Sequence, residues 1–238
     1  MEEQKAPGLP AFTSRQSLAA WLCALLWLPM HAWALPRLLL LFFPRMDDVQ
    51  LNVTVYVVGA VWMLATQFRF LREDFDPLAD RFWRILFEVG VSYGAMLLFN
   101  LAVSALLMLL LSGIPDNPNN AAVTDMSFAG GGPVTALVVF LAPFVEELMF
   151  RAGIFGPLQR RSRFAAYAVC MLLFALYHVF GYALSDPTAW IYLVQYLPIG
   201  FLLCRLYERS NTIWAPMLLH GLVNFLSLRA LQLLEQLL

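Results

Sequence analysis

The sequence predicts an all-α membrane protein, a helix bundle of about seven transmembrane helices with one amphipathic connector at the membrane interface. Hydrophobic residues make up 61% of the 238 positions, charged residues make up 13%, and the mean hydropathy is +0.70. Soluble domains contain about 45–50% apolar and about 25% charged residues. The composition therefore excludes a soluble domain, a disordered chain and a nucleic-acid-binding module. The lipid bilayer is the first expected partner.

Seven stretches of the sequence are long enough to cross the hydrocarbon core, which takes about 20 mostly apolar residues in a helix. Pro29 and Pro36 are expected to kink or end the first of them, because proline removes a helical hydrogen bond. The charged segment 69–84 is expected to lie along the interface. The stretches are 17–43, 51–71, 85–112, 133–155, 164–183, 188–207 and 212–233.

The chain is expected to form one integral membrane domain with two regions. Residues 1–132 supply the first three spans and the connector, and residues 133–238 form a four-helix core. The polar segment 113–125 predicts a loop between them. The run Gly130-Gly131-Gly132-Pro133 follows, and a proline suits the first turn of the next helix.

Arginine placement predicts the orientation of the chain. By the positive-inside rule the arginine-rich loops face the cytoplasm, which places the N-terminus in the cytoplasm, while the alternate loops 113–132 and 182–189 contain no Lys or Arg. Arg37 and Arg45 depart from this pattern. The compact size and short loops favour a bacterial inner membrane. The arginines in or beside the basic loops are Arg69, Arg72, Arg81, Arg84, Arg160, Arg161, Arg163, Arg205 and Arg209.

Two vicinal carboxylates interrupt the fourth span, where each ionisable residue costs about 2.5–3.5 kcal/mol on insertion scales. Glu147 and Arg151 are four residues apart, so they share a helix face and can neutralise each other. Glu146 points about 100° away and has no local counter-charge. An unpaired carboxylate in such a setting suits a general base.

His178 lies in the fifth span, and His220 and Asn224 share one face of the seventh. Imidazole and carboxamide groups can donate hydrogen bonds to an oxyanion, or hold a water against Glu146. A structural interpretation stays open for the ion pair and for His178, which alone suits an interhelical hydrogen bond equally well. Three further polar residues in or near spans are interpreted as structural: Glu88, Asn100 and Gln195.

The depths of these groups conflict when they are counted along the predicted spans. Glu146 falls about 10 Å from the cytoplasm and His178 about 21 Å, at about 1.5 Å per residue. The fifth span is therefore expected to start late, with residues 157–168 partly in the interface.

Several intramembrane chemistries are excluded by residue type. The sequence contains no HExxH zinc-protease motif, no GxSxG elbow and no phosphate-binding loop. An aspartyl dyad is excluded because Asp116, Asp125 and Asp186 lie in predicted loops.

In this order, the three polar groups resemble the motifs of the CPBP family of intramembrane proteases. That family includes the type II CAAX prenyl endopeptidases and bacteriocin-immunity (Abi) proteins. Its EExxxR motif corresponds to Glu146–Arg151, its FxxxH motif to Phe174–His178, and its HxxxN motif to His220–Asn224. The resemblance covers about residues 133–233. It implies an α-helical membrane endopeptidase whose site lies in a cavity open to the cytoplasmic side.

By position, the resemblance implies that Glu146 activates the hydrolytic water and that His178 helps to hold it. His220 and Asn224 would form the oxyanion hole. Two residues would support these groups: Glu147 and Arg151. A metal-free mechanism without a cofactor is favoured. Zinc is the alternative, and its ligands would then be Glu146, His178 and His220.

The expected substrate is a membrane-associated peptide or protein, either a prenylated CAAX-type chain or a bacteriocin-like peptide. One alternative is a non-catalytic scaffold or immunity protein that retains the motifs for its fold. The other is a transporter that uses Glu146, Glu147 and His178 as a proton relay. The sequence shows no inverted repeat, which disfavours the transporter.

Overall fold

A computed structural model describes residues 34–110 and 117–237, together with Leu18. These residues contain helices and no strand, so the predicted all-α class is confirmed. A 3₁₀ turn at Pro187–Tyr192 directly precedes the helix that begins at Leu193. The helices are α1 (Leu35–Phe42), α2 (Asp48–Glu73), α3 (Asp76–Asp80), α4 (Phe82–Leu110), α5 (Pro118–Gln159), α6 (Arg163–Ser185), α7 (Leu193–Ser210) and α8 (Trp214–Leu237).

Five segments of the described chain are long and apolar enough to cross a membrane. They are α2, α4, α5, α6, and α7 with its preceding 3₁₀ turn. The last predicted span is α8, which carries the polar residues His220, Asn224 and Arg229 and is not among the five. The first predicted span, 17–43, lies largely outside the described residues, which show its end as α1. The number of seven is therefore approximate.

Helix α5 begins earlier than predicted, because residues from Pro118 onward are helical where a loop over 113–125 was expected. The Asn117 side chain caps this helix by accepting hydrogen bonds from the backbone N–H groups of Asn119 and Asn120. Gly131 has φ 55° and ψ −134°, a conformation that only glycine adopts readily, and it kinks the helix. The helix resumes around Pro133, as expected.

The depth conflict disappears because α5 also ends later than predicted. Glu146 lies 13 residues before Gln159, which is about 20 Å. His178 lies 15 residues after Arg163, which is about 22 Å, so the two side chains reach one level. A late start of the fifth helix is therefore not needed, since α6 begins at Arg163, and the partly interfacial position of residues 157–168 stays a prediction.

The connectors 74–81, 160–162 and 211–213 lie at one end of the bundle, which we call the basic end. Asp74 joins two of them, since its carboxylate accepts hydrogen bonds from the Ile213 N–H at 2.6 Å and the Thr212 hydroxyl at 2.8 Å. The start of α8 is thereby held below the surface of this end.

The amphipathic connector is shorter than its predicted range of 69–84, because α2 continues to Glu73 and α4 begins at Phe82. It consists of α3 and its flanking residues. Leu78 of α3 is buried, while Asp76 and Asp80 are exposed. This is the two-faced arrangement that the sequence predicts.

The packed core lies between the glutamates and the basic end. All residues of the segment Leu148–Phe155 are buried, and they pack in one cluster with residues such as Leu203 and Tyr207. Large apolar side chains cover the outside of the bundle, among them Trp83 and Leu109. Such an outer surface is expected of helices that face lipid tails.

Candidate active site

Two π-helical turns flank the vicinal carboxylates. Residues Leu137–Leu141 and Leu148–Phe155 are π-helical, and the short α-helical segment Ala142–Glu147 between them carries both glutamates. π-Turns widen a helix and occur often at functional sites. Both glutamates are buried.

The predicted pair of Glu147 and Arg151 is formed and fully buried. The Arg151 Nη1 atom donates to Glu147 Oε1 at 3.0 Å, and its guanidinium lies 4.5 Å above the centre of the Phe174 ring. Arg151 also donates to the Gly200 carbonyl at 3.4 Å. Because a buried charge without a partner is costly, this pair balances two charges in the packed core.

The tautomers of both histidines follow from their partners. The His220 Nδ1 atom lies 2.7 Å from Glu147 Oε1, and the His178 Nδ1 atom lies 2.8 Å from the Phe174 carbonyl oxygen. Both partners are acceptors, so each Nδ1 carries a hydrogen. Each neutral ring therefore presents the lone pair of its Nε2 atom on the other side.

Those two lone pairs face Glu146. Its Oε2 atom is 3.7 Å from His178 Nε2 and 3.8 Å from His220 Nε2. This oxygen is buried and has no hydrogen-bond partner among the described residues. Three acceptor atoms thus converge on one point, where a water or an additional proton would satisfy them.

Asn224 is held near this point by the backbone of α5. Its Nδ2 atom donates to the Val138 carbonyl at 2.8 Å, which leaves its second amide hydrogen for another acceptor. Gly221 allows the approach, because a Cβ atom there would stand 2.7 Å from the Val139 carbonyl oxygen. Helices α5 and α8 are therefore in close contact at Gly221, next to His220 in the sequence.

Tyr56 of α2 is a site residue that the sequence reasoning missed. Its hydroxyl donates to Glu146 Oε1 at 3.2 Å and lies 3.2 Å from the Tyr177 hydroxyl. The hydroxyl of a tyrosine buried within a span needs a partner, and this need is the one sequence signal that could have singled it out.

Tyr196 of α7 was also missed. Its ring stacks on the His178 imidazole, with centroids 4.6 Å apart and an interplanar angle of 20°. Its hydroxyl accepts a hydrogen bond from the Asn119 amide at 3.1 Å. The Phe174 ring also contacts the His178 ring, with centroids 4.5 Å apart, so aromatic side chains of two helices hold the imidazole.

The site opens into a cavity of about 1380 Å³. Glu146, His178, His220 and Asn224 line it, so the structure brings four of the six predicted site residues to one cavity wall. The other two, Glu147 and Arg151, are buried behind this wall. Their position agrees with the supporting role that the resemblance implies for them.

The three predicted zinc ligands are of a suitable chemical type for that metal. Within the described residues no group of three His, Cys, Asp or Glu side chains is placed to hold a metal ion. Glu146 Oε2 lies 3.7 Å from the Nε2 atom of His178 and 3.8 Å from that of His220.

Comparison with known proteins agrees with the motifs. Residues 130–226 match the family model of the Rce1-like type II CAAX prenyl endopeptidases. This match includes all three motifs and nearly all of the segment 133–233 that the resemblance covers.

Three curated bacterial proteins are similar to the chain. The UPF0177 protein YxdF of Lactococcus lactis is 32% identical over 40% of this chain and 48% of its own length. The UPF0177 protein YvdC of the same organism is 24% identical over 74% of this chain and 65% of its own length. The "Putative membrane peptidase YdiL" of Bacillus subtilis is 29% identical over 46% of this chain and 41% of its own length.

The chain thus covers less than two thirds of the length of each of these relatives. No solved structure is significantly similar to it. The family match and the motif geometry coincide on the same helices. Residues 130–226 of this integral membrane protein are therefore similar to the Rce1-like type II CAAX prenyl endopeptidase family.

Proposed function

We propose that this protein is an intramembrane endopeptidase that hydrolyses a peptide bond in a membrane-associated peptide or protein through a water activated by Glu146. The observation that carries the proposal is the buried Glu146 Oε2 atom, which lacks a partner among the described residues and faces two imidazole nitrogens in a large cavity. The family match and the membrane-peptidase relative support a protease.

In the proposed reaction, a water lies between Glu146 and His178 and donates one hydrogen bond to each. Glu146 takes a proton from this water, and the water oxygen attacks the scissile carbonyl carbon. The protonated Glu146 then gives that proton to the leaving amine as the C–N bond breaks. The products are a carboxylic acid and an amine, which ionise on release to a carboxylate and an ammonium, so atoms and charges balance.

The oxyanion of the tetrahedral intermediate is stabilised by His220 and Asn224. The Nδ1 hydrogen of His220 is directed at Glu147, so Nε2 donates only once it has taken up the additional proton that the converging acceptors of the site can hold. The charge of this imidazolium balances that of Glu146 before the attack and that of the oxyanion after it, while Arg151 stays paired with Glu147. Asn224 contributes the amide hydrogen that does not bind Val138. Donors placed in advance in a low-dielectric site contribute strongly to catalysis.

The remaining groups act through these residues. Arg151 fixes Glu147, Glu147 orients His220, and Tyr56 holds Glu146 Oε1. None of these three side chains is assigned a contact with the reacting atoms. They are positioning residues, and their replacement should affect the turnover rate through Glu146 and His220.

The test is cleavage by the purified, detergent-solubilised protein. The substrates are a fluorogenic prenylated CAAX peptide and a mixed pool of membrane peptides. Wild type is compared with Glu146→Gln and with Glu88→Gln, each with and without a zinc chelator. Glu88 is a matched control, because it is a part-buried glutamate in α4 that lies 3.4 Å from Arg84 and 3.7 Å from Arg209, near the basic end.

We expect Glu146→Gln to lower the turnover rate by about 10²–10⁴-fold, in the range of a lost general base, while Glu88→Gln and the chelator leave it unchanged. Chelator-sensitive cleavage that returns with zinc would overturn the glutamate mechanism and place Glu146, His178 and His220 around a metal. Equal cleavage by Glu146→Gln and wild type would overturn the assignment of Glu146. A well-folded protein that cleaves nothing in either substrate set would favour the scaffold or transporter.

A further inference from the structure

The cavity lies mainly in the half of the bundle that is remote from the basic end. Its lining uses residues 49–56 of α2, 96–104 of α4, 173–185 of α6 and 220–231 of α8. In α2, α4 and α6 this is the part of the helix farther from the connectors 74–81, 160–162 and 211–213, and in α8 the lining begins about two turns after its start.

The rim of the cavity is at the end of the bundle opposite the basic end. Asn120, Ser185 and Thr188 line the cavity there and are exposed. The deepest lining residues are Glu146 and Leu173, and beyond them begins the packed core. In the described part of the chain the site is therefore accessible from this end. Packed side chains close it toward the basic end.

The arginines of the described chain are unequally divided between these ends. Nine of them lie in or beside the basic-end connectors, as the sequence predicts. The other half holds Arg37, Arg45 and Arg229, and Arg151 is buried in the packed core with Glu147. By the positive-inside rule, the basic end faces the cytoplasm.

We infer that the catalytic cavity opens to the outer, extracytoplasmic face of the membrane, and that it admits an uncharged or cationic polypeptide segment from that side. The side of access follows from the placement of the cavity and the arginines. The nature of the substrate rests on the proposed function. This inference differs from the resemblance, which implies a cavity open to the cytoplasm.

The chemistry of the cavity wall supports a polypeptide without negative charge. Amide side chains line it, and these both donate and accept hydrogen bonds, as an extended peptide backbone requires. Among them are Asn52, Asn100, Asn119, Asn120 and Gln195. Glu146 and Asp186 are the acidic groups of this wall, and no arginine or lysine lines it within the described residues.

A carboxylate entering this cavity would meet like charges and no cationic partner in the described wall. The free C-terminus of a CAAX-type chain presents such a carboxylate, and it would arrive from the cytoplasm. The geometry instead favours cleavage within an exported peptide or within the outer segment of a membrane protein.

Cysteine labelling tests the side of access without requiring any proteolysis. Ser185→Cys places a thiol on the cavity rim, and Ala79→Cys places one on an exposed small residue of α3 at the basic end. Both are made in a Cys23→Ala background, while the native cysteines of α6 and α7 stay in place because they are buried. A membrane-impermeant maleimide is applied to intact cells of a bacterial host and to inverted vesicles.

The expected result is that Ser185→Cys is labelled in intact cells and Ala79→Cys only in inverted vesicles. The reverse pattern, or labelling of both thiols from both faces, would overturn the inference. The Cys23→Ala variant without an added cysteine gives the background level of maleimide labelling. Because no cleavage is measured, failure here is distinct from failure of the proposed function.

A second measurement connects the rim to the reaction. The labelled Ser185→Cys protein is solubilised and assayed for cleavage, with labelled Ala79→Cys as the control. A bulky adduct at the rim should abolish cleavage, and the same adduct on α3 should leave it unchanged. Unchanged cleavage by labelled Ser185→Cys would overturn the rim as the substrate's route. For substrates that are cleaved, replacing neutral residues beside the scissile bond by glutamate should lower cleavage, and replacing them by lysine should not.

Discussion

The two halves of the bundle are built differently, although the same helices pass through both. Toward the basic end, Leu148–Phe155 and the parts of α6 and α7 around them form a dense core with a buried ion pair. Toward the other end, the helices separate around a cavity of about 1380 Å³ lined by amides, tyrosines and apolar residues. Glu146 and its two histidines lie at the boundary between the halves.

This difference lets one bundle combine rigidity with access, as the proposed hydrolysis requires. Catalytic groups need to be held close to their working geometry, which packed and hydrogen-bonded neighbours provide. Substrate and water need space, which a dense core does not leave. In this bundle Glu147 and Arg151 belong to the rigid half, and Glu146 reaches into the open one.

Breaking the packed half should have the largest effect. Arg151→Met leaves Glu147 buried without its cation, and removal of one partner of a buried pair costs about 3–5 kcal/mol. We expect the purified variant to unfold at a much lower temperature in detergent and to lose cleavage with the fold. Arg84→Met is the control. The Arg84 side chain is 67% exposed, so its ion pair with Glu88 should contribute little to stability. Equal stability of the two variants would show that the ion pair does not hold the packed half together.

The clamp at the basic end should make stability depend on pH. Burial raises the pKa of the Asp74 carboxyl from 3.8 to about 7. The folded state therefore binds a proton more tightly than the unfolded state, so this group's stabilisation is full below pH 4 and is lost as the pH rises to 7. Linkage makes that loss up to about 4 kcal/mol.

Melting temperatures of wild type and Asp74→Asn between pH 5 and pH 8 measure this effect. The melting temperature of the variant should rise relative to that of wild type as the pH rises. The reason is that its amide stays neutral while still accepting a hydrogen bond from the Thr212 hydroxyl. Asp76→Asn alters an exposed aspartate of the same connector and serves as the control. A constant difference between wild type and Asp74→Asn across this range would contradict the linkage.

The boundary between the halves should be sensitive to a single methyl group. Gly221→Ala would place a Cβ atom 2.7 Å from the Val139 carbonyl oxygen, so α8 must move away from α5. Overpacking of this kind costs about 1–3 kcal/mol, and it should also displace His220 and Asn224 and lower cleavage. Gly94→Ala has no atom within 4 Å and should be neutral or slightly stabilising. Undiminished activity of Gly221→Ala would mean that the helix contact does not set the site.

The smallest expected effect concerns the open half. Tyr56→Phe keeps the ring and removes the hydroxyl that donates to Glu146, a bond worth about 1 kcal/mol or about fivefold in rate. We expect kcat to fall while KM and the melting temperature stay unchanged, which distinguishes positioning from a structural role. Tyr93→Phe in α4 is the matched control. A change in KM alone would assign Tyr56 to substrate binding.

Much of the site could be predicted because polar residues inside apolar spans stand out. Glu146, His178 and His220 each interrupt such a span, and the structure brings both imidazoles within 4 Å of one carboxylate oxygen of Glu146. Tyr56 and Tyr196 could not be found in the same way, because tyrosine is amphipathic and interrupts no hydrophobic pattern. The helix at residues 118–130 was missed because its asparagines and glycines are typical of turns.

The sequence by itself determined the membrane class, the helical architecture and the identity of the polar groups, since each follows from local composition and spacing. Only the tertiary structure decided which atoms of those groups meet, which histidine nitrogens face Glu146, and at which end of the bundle the cavity lies. Those features depend on contacts between helices far apart in the chain, such as α2 with α5 and α5 with α8. Such contacts are set by the packing of whole helix faces, which no local pattern records.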